Sequence, residues 1–144
     1  MIEPAHPYLL FHPKFVWKTE GKRWEYQMDR KTFKKGWWKG SESFVIDVQC
    51  RRFDLLDVES DGVAWTVWNL FRSNEMRLIS LRYICSDPQQ LTFEQARETY
   101  VEYICEHRWW SATHENEEQF RARNAEYTKW ADVVEFVSLA GRHP

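Results

Sequence analysis

Between Pro13 and Pro88 the chain carries no proline, and within that span residues 43–85 hold its clearest strand pattern. Proline cannot donate to a sheet ladder, so a proline-free span with period-two alternation is suited to interior strands. Phe44, Ile46, Val48 and Cys50 fall on one side of the first run, and Val45, Asp47 and Gln49 on the other. Alternating β-branched and aromatic residues fit a half-buried strand. Asp61-Gly62 predicts a two-residue type I′ hairpin turn, because both central positions need positive φ, which Asp tolerates and Gly adopts without a Cβ penalty. That turn pairs Ser60 with Val63, Val58 with Trp65 and Leu56 with Val67, so Leu56, Val58, Trp65, Val67 and Phe71 become the core face. The opposite face (Leu55, Asp57, Glu59, Ala64, Thr66, Trp68, Leu70) is mixed, and a helix or a partner can half cover it. Leu55-Leu56 breaks the alternation, as a bulge or short turn would; a single helical turn is the rival. Ser73-Asn74-Glu75 reads as a second turn before a strand over Met76–Cys85, with Ile79, Leu81, Tyr83 and Cys85 on one face. The arrangement expected is an antiparallel meander.

Residues 1–13 hold Pro4, Pro7 and Pro13 and predict an extended arm, anchored by Leu9, Leu10 and Phe11 along the sheet or a neighbouring chain. Phe15, Trp17 and Thr19 alternate, as do Trp24, Tyr26 and Met28, and Glu20-Gly21 between them suggests a first hairpin. Past Pro88 the period changes. Thr92-Phe93-Glu94-Gln95 has capping-box spacing with Leu91 as a staple. Phe93, Ala96, Tyr100, Tyr103, Ile104, His107 and Trp110 then form one helical stripe. Asn116 offers a second cap, and Phe120, Tyr127, Trp130, Ala131, Val134 and Val137 continue as another amphipathic helix ending near Gly141.

These patterns predict one α+β domain over residues 1–144: a five- or six-stranded antiparallel sheet (residues 14–85), an N-terminal arm, and two C-terminal helices (91–140) packed on one face. A chain of 144 residues with 43% apolar and 29% charged residues is expected to be globular. Its longest uninterrupted apolar run, Tyr8–Phe11, is far short of the ~20 residues of a membrane span. No secretory or transit signal is visible at the N-terminus. Three cysteines with no short pair argue against a disulfide framework or zinc ribbon and make a reduced, cytoplasmic setting the default.

Two features point toward interaction. Nine Trp, nine Phe and six Tyr make 17% of the chain aromatic, more than one small core readily hides. Charge is also segregated: residues 14–39 hold nine basic and three acidic side chains, net +6, whereas residues 86–144 hold six basic and eleven acidic, net −5. The sharpest candidate is residues 30–40, where Lys31, Lys34, Lys35 and Lys39 surround Trp37 and Trp38. Lysines attract phosphates and exposed indoles stack on unpaired bases. The same letters suit an acidic protein partner, an anionic surface, or a solvated basic loop whose tryptophans fold back into the core. Trp68 on the mixed face and Trp109 beside Glu102 and Glu106 complete the interaction candidates.

Catalytic signals are thin. Asp57, Glu59 and Asp61 alternate into a turn and can serve a hard cation or an acid–base pair, but a solvated polar face explains them as well. His107 and His114 lie seven apart, a poor metal spacing, and Cys105 and His107 cannot face each other across a helix. Glycine-rich phosphate loops, nucleophile elbows and Cys-x-x-Cys pairs are absent from the sequence. The reading is a non-enzymatic interaction protein, an accessory subunit or inhibitor-type partner, binding another protein or itself, with no cofactor or metal. The alternatives are a nucleic-acid-binding module using residues 30–40, and small-molecule binding or catalysis in an aromatic pocket between sheet and helices, with Asp57 or His107 as acid–base group.

Overall fold

The proline-flanked segment Tyr8–His12 is itself a strand. In the computed structural model, which describes residues 2–64, 67–109 and 115–136, it forms β1. It pairs on one side with β2 (Phe15–Thr19) and on the other with β4 (Phe44–Asp47). Every residue of β1 is buried, so the expected N-terminal arm is instead an interior strand. Pro7 and Pro13 stand just outside it, where no ladder N–H is lost.

From β4 the sheet continues through β5 (Arg51–Val63) and β6 (Leu78–Cys85) to β3 (Gln27–Asp29). Its order is β2-β1-β4-β5-β6-β3, with antiparallel pairing throughout and a short β7 (Gln89–Gln90) added to β5. The predicted antiparallel meander and α+β class are present, with six strands along the main path and β7 beside it. The first hairpin is not. β2 pairs with β1, and residues Arg23–Tyr26 form a 3₁₀ turn before β3, which pairs with β6 at the far end of the sheet. The Glu25 carboxylate causes this: it accepts from the backbone N–H groups of Glu20 and Lys22, winding the chain instead of extending it.

Asp61-Gly62 also plays a different part. Pairing runs Ser60↔Leu81 and then Val63↔Ile79, so one strand has two residues where the other has one. The pair is a bulge inside β5, and Gly62 meets its positive-φ requirement at +102°. A second bulge places Leu56 outside the ladder, as the broken alternation suggested. Bulges sharpen local twist, and the sheet curls until β2 and β3 face a common cleft. The real connection between β5 and β6 spans residues 64–77 and contains the short helix α2 (Val67–Leu70). Leu56, Val67 and Phe71, expected in the core, are therefore exposed, while Val58 is buried as expected. Trp65 and Thr66 lie outside the described residues.

Alternation in β1 and β4 sends side chains to two separate cores. Leu9, Phe11, Phe44 and Ile46 point to the outer face, under α3 (Phe93–Glu106), α4 (Glu117–Ala125) and α5 (Trp130–Phe136). Tyr8, Leu10, Val45 and Phe53 point into the curl. Both predicted caps form: Thr92 with Gln95, and Asn116 with Gln119. The second helix, expected to run on to Gly141, breaks after Ala125. There the buried Asn124 amide donates to the Phe120 carbonyl, and Arg97 of α3 donates to the freed carbonyls of Ala125 and Tyr127. Val137 and Gly141 lie outside the described residues.

Asp47 ties the layers together. Its fully buried carboxylate accepts from the backbone N–H groups of Ala5, Gln49 and Arg51 and from the Arg51 side chain at 2.8–2.9 Å. Its carbonyl accepts from the Trp130 indole at 2.8 Å. One residue thus joins the N-terminal segment, the β4–β5 turn and the last helix.

Candidate functional site

The basic segment is not a loop. Asp29 caps α1 (Arg30–Lys35) by accepting from the Thr32 N–H, and Gly36 ends it in the left-handed region at φ 63°. This reversal turns Trp38 into the core while Lys39 stays over its ring, with the ammonium 6.0 Å from the centroid. Lys31, Lys34, Lys35 and Lys39 are exposed. Trp38 is 7% exposed, packs among Val58, Ile79 and Leu81, and donates its indole N–H to Asp57 Oδ1 at 3.1 Å. Trp37 is half-buried, edge-on to Trp38 and Tyr83. Trp38 folds back into the core, one of the alternatives the sequence leaves open, and has no exposed face for stacking on a base, while Trp37 is half-buried.

His12 holds the Trp37 strand-return in place. The Lys14 N–H donates to Nδ1 at 3.0 Å, so the ring proton sits on Nε2 and is donated to the Trp37 carbonyl at 2.8 Å. Burial above all, with help from Lys14, lowers its pKa below the ordinary 6.5, against the opposing pull of the Trp37 carbonyl. The sign follows. As pH falls below 6.5 the unfolded chain takes up this proton before the folded one does, so stability drops with falling pH. Thermal midpoints measured from about pH 7 down to about pH 5 are expected to fall more steeply for the wild type than for His12→Gln. Parallel slopes would refute this role.

The surface that stands out is the β5–β6 tip. Val67, Trp68, Leu70 and Phe71 are all largely exposed, Trp68 at 79% and Phe71 at 80%. Such adjacent apolar exposure is unusual for a solvated loop. The tip is held by its buried member, Asn69, whose amide donates to the carbonyls of Ala64 and Leu78 and accepts from the Leu78 N–H. Its far side is bound to the start of α1: Arg30 N–H donates to the Arg77 carbonyl, Lys31 N–H to the Glu75 carbonyl, and the Arg30 side chain to Asn74. The connection that carries the apolar tip is thus hydrogen-bonded to the start of the basic helix.

Of the sequence candidates, Lys31 and Trp68 lie on two elements that the Lys31 N–H bond to the Glu75 carbonyl ties together. Lys34 and Lys35 are exposed at the end of α1, Lys39 lies over the Trp38 ring at 6.0 Å, Trp38 is buried and Trp37 half-buried, and Trp109 lies elsewhere. Trp109 is half-buried against the outer core, stacked on His107 with ring centroids 4.5 Å apart. Trp68 and Leu70 belong to the mixed face that the sequence leaves open to a partner, whereas Val67 and Phe71, expected in the core, join them at the surface; the signal is an apolar run too dense for alternation.

Two of the three candidate carboxylates, Asp57 and Glu59, are engaged. Asp57 accepts from Trp38 and its own following N–H, and Glu59 pairs with Arg82. His107 Nδ1 donates to the Tyr103 carbonyl, and its sequence partner His114 lies outside the described residues. Burial pushes the Cys85 thiol up to about 11 and raises Cys50 and Cys105 as well, which keeps them in the unreactive thiol form. No family model, curated protein or solved structure matches this chain.

Proposed function

We propose that this is a non-catalytic interaction protein that docks on another protein through the β5–β6 tip. The reading rests on four adjacent apolar side chains held out to solvent by a buried asparagine. Exposing them loses burial worth roughly 1.5–3 kcal/mol per large side chain, which a partner would recover. Aromatic anchors on a connection hydrogen-bonded to a basic helix have the make-up of an interface centre with a charged neighbour. The partner surface that fits is an apolar recess bordered by carboxylates. A second copy meets the charge requirement too, since Glu98, Glu106 and Glu118 are exposed on α3 and α4.

Replacing Trp68 with a photo-crosslinking phenylalanine analogue, in cells and with purified protein, tests this reading. One discrete adduct, a partner or a dimer, is expected, and it should vanish in Phe71→Ala and weaken on charge reversal of Lys31. Diffuse labelling, or an adduct indifferent to Phe71→Ala, would refute the tip as the docking element.

A further inference from the structure

The curl of the sheet leaves a cleft between its two terminal strands. One wall is β2, contributing the four consecutive residues Val16–Thr19; the other is β3 with Gln27 and Met28. The 3₁₀ turn closes one end with Trp24, and Trp37 and Tyr83 form the floor. The cavity measures about 690 Å³, within the ~300–1,000 Å³ range of small-molecule sites. It lies on the inner side of the sheet, not between sheet and helices where an aromatic pocket was expected, and it is separate from the β5–β6 tip.

The chemistry of the walls limits the ligand. Trp17 stands against Trp37 at 5.9 Å and 66°, and Trp37 against Tyr83 at 6.3 Å and 84°. These edge-to-face contacts join the three rings into one continuous aromatic wall, against which a flat molecule can lie. Every charged side chain lining the cavity is already engaged. Lys18 and Lys22 both pair with Glu20, at 3.3 and 3.2 Å, and Lys18 also donates to the Glu135 carbonyl. Glu25 is taken up by the backbone N–H groups of Glu20 and Lys22. A charged ligand would lose its hydration and find no free counter-charge. Gln27 brings an uncharged amide to the wall, which can orient a carbonyl or hydroxyl.

We infer that this cleft binds an uncharged, planar, largely apolar small molecule carrying one or two neutral hydrogen-bonding groups. Binding rests on aromatic stacking, and the engaged charges at the mouth exclude ionic competitors.

Titration with N-phenyl-1-naphthylamine, a neutral two-ring-system fluorophore, tests the inference. The dye is excited directly, so that loss of a tryptophan donor does not alter the readout. The expected result is saturable binding of one dye per chain, weakened about tenfold or more in Trp17→Ala/Trp24→Ala. Affinity should be unchanged in Trp68→Ala, and the anionic relative 1-anilinonaphthalene-8-sulfonate should bind more weakly than the neutral dye. Trp24 is mostly solvent-exposed, so Trp24→Ala alone carries the test if the Trp17 change perturbs folding. Absence of saturable binding, equal affinity in the cleft variants, or loss of binding in Trp68→Ala would overturn the assignment. The last outcome would mean that the dye reads the exposed tip and not the cleft.

Discussion

Asp47→Ala is expected to destabilise the fold by about 3–5 kcal/mol, the scale of breaking a buried, hydrogen-bonded ion pair. The substitution strands three backbone donors around a fully buried position and leaves the partly exposed Arg51 without its carboxylate. Against a typical domain stability of about 5–15 kcal/mol, a loss of this size leaves much of the population unfolded at ambient temperature. Asp47→Asn should fall between wild type and Ala. Its amide oxygen can still accept from Gln49 and Arg51, but its NH₂ meets the Ala5 N–H and the Arg51 side chain donor to donor. Urea unfolding followed by tryptophan emission measures both. A loss below about 1 kcal/mol for Asp47→Ala would show that these donors find other partners.

Trp38→Ala is expected to cost about 3–5 kcal/mol, the range for removing a large aromatic ring from a packed core. The ring contacts Phe33 and Trp37 and fills the space over Val58, Ile79 and Leu81. Trp38→Phe keeps most of that contact and should cost less, the remainder measuring the lost bond to Asp57. Lys34→Ala and Lys35→Ala, one helical turn away on exposed positions, should change stability by no more than about 0.5 kcal/mol. This contrast separates a residue of the core from residues of a surface within one short segment. A near-neutral Trp38→Ala would return the indole to the surface and reopen the base-stacking reading of residues 30–40.

The same segment illustrates what sequence patterns carry. Lysines and tryptophans interleave along the chain, so composition alone reads them as one patch. Gly36 adopts the left-handed conformation, the chain turns, and Trp38 is buried while Lys31, Lys34, Lys35 and Lys39 stay exposed. Asp61-Gly62 has the same lesson in reverse. The demand for positive φ at Gly62 is local and was legible, but a bulge and a hairpin turn make the same demand. Which of them forms depends on whether β6 continues past the glycine, a contact between residues 63 and 79 that no local window contains. Misreading it moved Val67 and Phe71 into the core, away from Trp68 and Leu70.

By itself, the sequence determined the α+β class, the strand content of β4, β5 and β6, the helix starts at Thr92 and Asn116, and the aromatic surplus. These depend on alternation and capping, which involve neighbours within about four residues. Only the tertiary structure decided that β1 lies inside the sheet, that Trp38 turns in while Trp68 stays out, and that the two ends of the sheet frame a cleft. Strand partners and side-chain exposure are set by contacts between distant parts of the chain, and those exist only once the sheet has curled and the helices have covered its outer face.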